Sequence, residues 1–349
     1  MITEIFRLAE GQEAEKIRRA AEIIRAGGLV AFPTATVYGL GADALREEAA
    51  AKIYAAKGRP SDNPLIAHIA DRSALYELAA CVPDWAEGLA DAFWPGPLTL
   101  VFPKKPIVPD GTTGGLKTVA VRMPAHETAR KLIRAAGVPI AAPSANTSGR
   151  PSPTTAFHVL EDMDGKIDCI LDGGDAGFGL ESTIIDATGP VPVILRPGYI
   201  SAEMVREIVG KVETDRAAEQ PLGSGEMPKA PGMKYRHYAP KAKLVIVAGK
   251  EAAVTDKINE MTAEQEALGI PCGVICARET APCYHCTNKK IIGSRQHQET
   301  IAHNLYAVLR QFDEENTGMI FSESFEGGQL GQAIMNRLKK AAGYHIIQV

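Results

Sequence analysis

The sequence has few cysteines and no long apolar run. Six cysteines among 349 residues are too few for the disulfide framework of a small secreted protein. No apolar run approaches the roughly 18 residues of a membrane span. The start, MITEIFRLAEGQEAEK, is charged and lacks the apolar core of a signal peptide. These absences predict a cytoplasmic protein with no membrane partner.

The short motifs of common nucleotide-binding and hydrolytic sites are also missing. No G-x-x-x-x-G-K-[ST] occurs, so a P-loop would not hold a nucleotide. The glycines of GDAGFGLEST do not fit G-x-G-x-x-G, and neither H-E-x-x-H nor G-x-S-x-G is present. Any catalytic site must therefore be built from other residues.

The cysteines do not predict a metal site. Cys283 and Cys286 could form half of a zinc site, with Cys272 and Cys276 as the other half. However, Cys272 and Cys276 lie four residues apart in a predicted strand, which separates them by about 13 Å. Both cannot reach one tetrahedral ion, so we expect free thiols and no metal held by the protein.

Charge is distributed unevenly although the formal net charge is only −4. Residues 99–150 contain eight Lys or Arg and two acids, and residues 160–190 contain eight acids and one Lys. A basic segment within an acidic protein suits a confined anionic ligand better than a long nucleic-acid track. The alternative is that folding brings the two segments together and cancels the asymmetry.

Helical and strand patterns alternate and predict two α/β domains. Residues 1–210 form the first domain, and 211–240 form a linker rich in Gly, Pro and polar residues. Residues 241–349 resume the alternation as a small doubly wound parallel sheet. The predicted helices are 13–26, 46–57, 73–80, 84–93, 126–136, 201–209, 251–267, 299–312 and 329–341.

Two segments combine polar side chains with special backbone positions. PTATVYGLGADA, which begins at residue 33, follows a buried strand, and Gly39 and Gly41 there let backbone approach a ligand. An ordinary strand and turn would look similar. KGRPSDNPLIAHI places Lys57 and Arg59 at a helix end, where cations are favoured. Arginine suits bidentate oxyanion contacts and lysine suits phosphate, whereas a helix cap explains only one basic residue.

Three later segments carry further candidates. Arg122 lies inside the apolar strand TVAVRMP, where a charge is costly unless it meets an anion or forms a buried ion pair with an acid after residue 160. The loop APSANTSGRPSPT offers Ser144, Ser152 and backbone N–H groups, as anion-binding loops do. Ser182 enters one strand and Arg196 leaves the next.

Read together and in this order, these five segments resemble the YrdC-like threonylcarbamoyl-AMP synthases. The likeness spans about residues 14–210, and the linker segment PGMKYRHYAP with the small second domain looks like the longer, two-domain form. The resemblance implies a YrdC-like twisted open α/β barrel around a basic cavity, followed by a small Rossmann-like domain.

The resemblance also implies roles for individual residues. We expect L-threonine to be bound by Thr36, His68, Arg122, Ala142 and Ser182. We expect ATP to be bound by Lys57, Arg59, Asn63, Thr118, Ser144, Asn146, Ser152, Arg196, Tyr235 and His237, with Lys57 and Arg59 catalytic at the phosphates.

The implied reaction joins L-threonine to bicarbonate or CO₂ and transfers the carbamate to the α-phosphorus of ATP, with Mg²⁺ on the phosphates. No organic cofactor is needed. The product would serve threonylcarbamoyl modification of tRNA, with a downstream tRNA threonylcarbamoyl transferase as partner; direct tRNA binding stays open. The linker would act as a lid. The alternatives are a nonenzymatic RNA-binding module and a carbamoyl-transferring maturation enzyme, although the zinc-finger-like and acylphosphatase-like parts of the latter are missing.

Overall fold

The computed structural model describes residues 2–8, 11–218, 220, 223, 226–233 and 237–349. The chain forms two compact units. The first consists of Met1–Ser148, Ser152–Gly177 and Glu181–Tyr235, and the second of Gly149–Pro151, Phe178–Leu180 and Arg236–Val349. No helix among the described residues is both long enough and apolar enough to cross a bilayer.

The first unit contains one large mixed sheet with helices packed on it. The strands are β1 (Glu4–Arg7), β2 (Val30–Phe32), β3 (Gly39–Asp43), β4 (Ile66–His68), β5 (Leu98–Pro103), β6 (Thr118–Arg122), β7 (Ile140–Ala141), β8 (Cys169–Asp172), β9 (Thr183–Asp186), β10 (Val193–Arg196) and β11 (Glu213–Thr214). Their order across the sheet is β1-β8-β2-β3-β7-β4-β6-β5-β9-β10-β11.

The helices of this unit follow the apolar periodicity of the sequence. In α1, Ile17, Ala20, Ala21 and Ile24 form one buried face, as a 3.6-residue period requires. The helices are α1 (Glu13–Arg25), α2 (Glu47–Lys57), α3 (Ser73–Leu78), α4 (Asp84–Phe93), α5 (Asp110–Thr113), α6 (Glu127–Ala136), α7 (Ala156–Met163) and α8 (Ala202–Val209). The predicted mixed α/β class is confirmed.

The two faces of the central strands have different chemistry. Side chains alternate between faces along a strand, so Val119 and Val121 of β6 enter the main apolar core. Ala120 faces the opposite side, where it packs in a smaller apolar cluster, and Arg122 shares that side by its spacing of two residues. The main core therefore supports a second face that carries polar groups.

The second unit is a doubly wound parallel sheet, as predicted. Its strands are β12 (Lys243–Ala248), β13 (Cys272–Ala277), β14 (Lys289–Gly293), β15 (Met319–Glu323) and β16 (Ile346–Gln348), in the order β14-β13-β15-β12-β16. The helices are α9 (Glu251–Ala267), α10 (Gln298–Glu314) and α11 (Gly331–Ala341). Every strand pair in this sheet is parallel.

The sequence patterns missed six elements: β1, β3, α5, α7, β11 and β14. The strand β3 reads GLGAD, which has no apolar alternation, and it forms because β2 and β7 pair with it on either side. Packing also restricts one of its glycines. A Cβ on Gly41 would lie 2.7 Å from both Phe32 and Ile140, so core side chains by themselves require a small residue here, and the approach of a ligand to Gly39 and Gly41 stays a prediction.

Candidate functional site

Arg122 is a buried cation with unused hydrogen-bonding capacity. Its Nη1 donates to Thr36 Oγ1 at 2.8 Å and its Nε to the Gly96 carbonyl at 3.1 Å. Its Nη2 is buried without a hydrogen-bond partner among the described residues. Burial, and then the neighbouring Arg196, lower the pKa of Arg122 to about 9. Within the described part of the chain Arg122 forms no ion pair with an acid, which leaves the anion-binding alternative.

His68 lies beside Arg122 because β4 and β6 pair in parallel with these two residues in register. Burial, and then Arg122, lower the pKa of His68 to about 3, so the ring is neutral at pH 7. Its Nδ1 lies 3.1 Å from the Ile66 carbonyl. A carbonyl only accepts, so this contact is a hydrogen bond in the tautomer that carries its proton on Nδ1.

Ser182 is held by two partners on the same face of the sheet. Thr99 Oγ1 lies 2.7 Å from its hydroxyl. Arg196 donates from Nε and Nη2 to the Ser182 carbonyl at 3.2 and 3.0 Å. A Cβ on Gly198 would lie 2.6 Å from the carbonyl carbon of Ser182, so a side chain here would force the backbone around Ser182 to shift. The site thus places a second buried arginine next to the first.

Ala142 contributes backbone rather than side-chain chemistry. Its N–H donates to the Ile66 carbonyl at 2.9 Å, which ties the start of the APSANTS loop to the strand that carries His68. The structure therefore brings together all five residues expected at L-threonine: Thr36, His68, Arg122, Ala142 and Ser182. Their contact with the amino acid stays a prediction.

Lys57 fastens the loop that was expected at the nucleotide. Lys57 is 1% exposed, and its ammonium donates to the carbonyls of Ser144 and Asn146, each at 2.5 Å. The N–H of Ser148 donates back to the Lys57 carbonyl at 2.8 Å. The end of α2, where Gly58 adopts φ +60°, is thereby joined to residues 144–148. Lys57 was expected at phosphate, and the structure gives it this second, structural role.

Asn63 has a buried side-chain amide with unused hydrogen-bonding capacity. The residue is 1% exposed, yet neither its amide nitrogen nor its amide oxygen has a partner among the described residues. Buried amides are normally satisfied, so a ligand is the natural partner. Arg59 is half-buried beside it and donates to the carbonyls of Asn63 and Pro64 at 3.3 and 3.1 Å.

Two further residues that we expect to bind the nucleotide, Thr118 and Ser152, also belong to the first unit. Thr118 is half-buried at the start of β6, on the face that carries Arg122 by its spacing. Ser152 is fully buried and donates to Glu181 Oε1 at 2.6 Å. Because its proton is used there, the Ser152 hydroxyl is left to accept from a ligand or a backbone donor.

The chain matches known proteins over its whole length. One family model, described as "Telomere recombination", covers residues 22–198, and a second, "Threonylcarbamoyl-AMP synthase, C-terminal domain", covers 200–343. A threonylcarbamoyl-AMP synthase of Pyrococcus abyssi is 51% identical over 100% of both chains. Its Bacillus subtilis counterpart is 48% identical over 95% of this chain and 94% of its own.

A solved structure agrees with these relatives. The crystal structure of P. abyssi Sua5 complexed with L-threonine has a TM-score of 0.92, 49% identity and complete coverage of both chains. The chain belongs to the threonylcarbamoyl-AMP synthase family.

In this family member, part of the predicted linker packs on the polar face of the large sheet. Ala230 and Met233 are buried in one apolar cluster with Ile66, Val101, Ala120, Ile184, Leu195 and Ala217. Ile66 and Ala120 lie two residues before His68 and Arg122, on the same face of their strands. Arg196 Nη1 also donates to the Pro231 carbonyl at 3.1 Å. The segment is therefore bound to the sheet face that bears His68 and Arg122.

The two linker residues expected at ATP have different outcomes. Tyr235 lies outside the residues that the structure describes. His237 is buried, belongs to the second unit and packs against Tyr238, with ring centroids 5.6 Å apart. Their roles at the nucleotide stay predictions.

Sequence reasoning assigned no role to three residues that contact the expected ligand-binding side chains of this synthase-family site. Thr34, Thr99 and Glu181 contact Thr36, Ser182 and Ser152, respectively. Thr34 and Glu181 lie in quoted motifs, but nothing local shows that their side chains turn inward. Thr99 lies in the apolar run LTLVF, where a lone hydroxyl within a buried strand was the available signal.

Proposed function

We propose that the chain is a nucleotidyltransferase that condenses L-threonine, bicarbonate or CO₂, and ATP into threonylcarbamoyl-AMP and pyrophosphate. The product would serve threonylcarbamoyl modification of adenosine in tRNA. The observation that carries the proposal is the full-length likeness to threonylcarbamoyl-AMP synthases at 51% and 48% identity. The buried Arg122 supports the same conclusion, because its guanidinium could bind a carboxylate.

The α-carboxylate of L-threonine fits Arg122. The buried guanidinium has a free Nη2, and its lowered pKa shows that the surroundings disfavour an uncompensated charge. An anion at this position removes that penalty and takes the unused donor. The neutral ring of His68 adds no third cation to the pocket, so it does not compete for the carboxylate.

The reaction then requires two anions to meet. The amine nitrogen of threonine adds to CO₂, which breaks one C=O π bond and releases an amine proton to solvent, or condenses with bicarbonate with loss of water. A carbamate oxygen then attacks the α-phosphorus, and the bond from that phosphorus to pyrophosphate breaks. Two unit negative charges 4 Å apart repel by about 4 kcal/mol at an effective dielectric of about 20. Arg59, Arg196 and Lys57 would offset this repulsion, and Asn63 would bind the nucleotide with its unpartnered amide.

Mg²⁺ would accompany the phosphates of ATP. No three His, Cys, Asp or Glu side chains in the described part of the chain are grouped closely enough to hold a metal ion. Mg²⁺ commonly keeps several waters and uses substrate phosphates as ligands, so ATP itself can carry the ion. When bound, Mg²⁺ would neutralise charge that develops on the leaving pyrophosphate.

The linker would protect the carbamate, which is unstable in water. Ala230 and Met233 already cover part of the site face, and Pro231 is hydrogen-bonded to Arg196. Exclusion of water also strengthens electrostatic contacts with the ligands. We expect the protein to act in the cytoplasm and to pass its adenylate to a tRNA threonylcarbamoyl transferase.

The test is incubation with ATP, L-threonine and bicarbonate, with pyrophosphate and a labile adenylate followed by mass spectrometry. Pyrophosphate release should require threonine and bicarbonate together. Arg122→Met should lower it at least a hundredfold. Arg134→Met is the matched control, because Arg134 is exposed and pairs with Asp71 on the surface. Release of ADP without threonine, or salt-dependent RNA binding without ATP turnover, would contradict the proposal.

A further inference from the structure

One guanidinium and two threonine hydroxyls form a chain of hydrogen bonds at the expected threonine site. Arg122 Nη1 lies 2.8 Å from Thr36 Oγ1, Thr36 Oγ1 lies 2.9 Å from Thr34 Oγ1, and Thr34 Oγ1 lies 2.6 Å from the Val37 carbonyl. Thr34, Thr36 and Arg122 are 2%, 1% and 3% exposed, so bulk water does not compete for these bonds.

The two ends of the chain determine the direction of every bond in it. A carbonyl only accepts, so the Thr34 hydroxyl gives its single proton to Val37. The contact between the two threonine hydroxyls must then use the proton of Thr36. Arginine only donates, so Arg122 takes one of the two acceptor positions on Thr36 Oγ1. The backbone N–H groups of Thr36 and Val37 also approach Thr34 Oγ1, at 3.3 and 3.4 Å. These two long contacts share one lone pair of that oxygen, which leaves the other lone pair for the Thr36 hydroxyl.

Thr36 therefore has no proton left for a ligand and one lone pair to offer. A carboxylate or phosphate oxygen cannot bind there, because both are acceptors only. The group that faces Thr36 must be a hydrogen-bond donor. In L-threonine the donors are the α-amine and the side-chain hydroxyl. The α-amine is attached to the same carbon as the carboxylate, and the carboxylate fits the adjacent Nη2 of Arg122.

We propose that Thr34 is a positioning residue that holds Thr36 as a hydrogen-bond acceptor for the α-amine of the substrate. This inference rests on the proposed function, since it takes L-threonine as the ligand. Thr34 itself does not touch the substrate. It acts by taking the proton of Thr36, so that the amine meets a lone pair and the carboxylate is directed to Arg122.

Thr34→Val tests the proposal, because valine keeps the shape and removes the hydroxyl. With its proton released, Thr36 can turn its O–H toward the ligand, and we expect the Kd for L-threonine to rise about tenfold, the equivalent of one hydrogen bond. Thr34→Ser restores the hydroxyl and should bind as the wild type does. Isothermal titration calorimetry with L-threonine alone measures these constants, and steady-state assays should show a raised KM for threonine with an unchanged KM for ATP.

Thr3→Val is the matched control. Thr3 is also buried, donates to a backbone carbonyl (Ile167, 2.8 Å) and accepts from a backbone N–H (Gly165, 2.9 Å). The same loss of a hydroxyl there should leave the Kd for L-threonine unchanged. A parallel measurement of melting temperature compares the structural effects of the two substitutions.

L-2-Aminobutyrate, which lacks the hydroxyl of threonine, separates the two possible donors. If the amine faces Thr36, Thr34→Val weakens both amino acids by the same factor. A loss confined to L-threonine would overturn the assignment to the amine. Equal rises in the KM for threonine and ATP, or an unchanged Kd, would overturn the positioning role. Failure of the wild-type protein to form the adenylate would instead refute the proposed function, so the two failures are distinguishable.

Discussion

Replacement of Lys57 by Met removes an ammonium that joins α2 to the loop 144–148. The carbonyls of Ser144 and Asn146 would lose their charged donor. Hydrogen bonds to charged groups contribute about 1.5–3 kcal/mol each, and the methionine no longer has to bury a charge, which offsets part of the loss. We expect the free energy of unfolding to fall by about 3 kcal/mol, or about 6–12 °C in melting temperature for a domain of this size.

Arg59→Met is the comparison, because Arg59 lies two residues away and donates to the carbonyls of Asn63 and Pro64 from a half-buried position. The Asn63 carbonyl keeps a second donor, the Tyr54 hydroxyl at 3.2 Å, so we expect a smaller loss of about 1 kcal/mol. Both variants should lose pyrophosphate release. Urea and thermal unfolding followed by circular dichroism measure the stability difference. If Lys57→Met melts at the wild-type temperature, the ammonium does not hold the loop and our reasoning is wrong.

Three further outcomes are expected. His68 has a pKa of about 3 in the folded protein, below its unfolded value, so stability should fall as pH drops below about 6.5. At pH 5 the free energy of unfolding should be lower by about 2 kcal/mol, and urea unfolding of His68→Gln should not show this decrease. If the free energy of unfolding changes equally with pH in the wild type and in His68→Gln, this prediction is wrong. The new Cβ of Gly198→Ala would lie 2.3 Å from the Thr183 nitrogen, so this variant should lose about 1–3 kcal/mol of folding stability. In the control Gly189→Ala the nearest atom lies 4.0 Å away, and stability should not change. Similar melting temperatures for the two variants would refute this expectation. Asn63→Leu should not destabilise the ligand-free protein, since its amide has no described partner, but should weaken ATP binding about tenfold; calorimetry showing unchanged affinity would count against a nucleotide role.

Much of the secondary structure could be predicted because local patterns record which face of a segment is buried. The predicted helix 251–267 coincides with α9 (Glu251–Ala267), and 84–93 coincides with α4 (Asp84–Phe93). The prediction fails at β3, where GLGAD has no apolar alternation. That strand exists because two neighbours pair with it, and strand pairing is invisible in the segment itself.

For the site, too, some features could be predicted from the sequence and others required the structure. The sequence alone identified Arg122 as an expensive cation inside an apolar strand, and it left open whether an acid or a ligand compensates the charge. Only the tertiary structure shows that Arg122 has no acid partner among the described residues and that its Nη2 is unpartnered there, while contact with a ligand stays a prediction. The sequence likewise marked Lys57 as a basic residue at a helix end but could not show that its ammonium turns to two carbonyls 87 and 89 positions away.

The sequence by itself determined the family of this protein and the set of candidate ligand-binding residues, because both follow from residue types and from the order of motifs along the chain. The tertiary structure decided which group donates and which accepts in the hydrogen bonds that link Arg122, Thr36 and Thr34. Thr36 and Arg122 lie 86 positions apart, and a hydroxyl donates or accepts according to the partners that sheet pairing places around it. A proton's direction is therefore a property of the packed structure, where the carbonyl of Val37 and the guanidinium of Arg122 set the two ends.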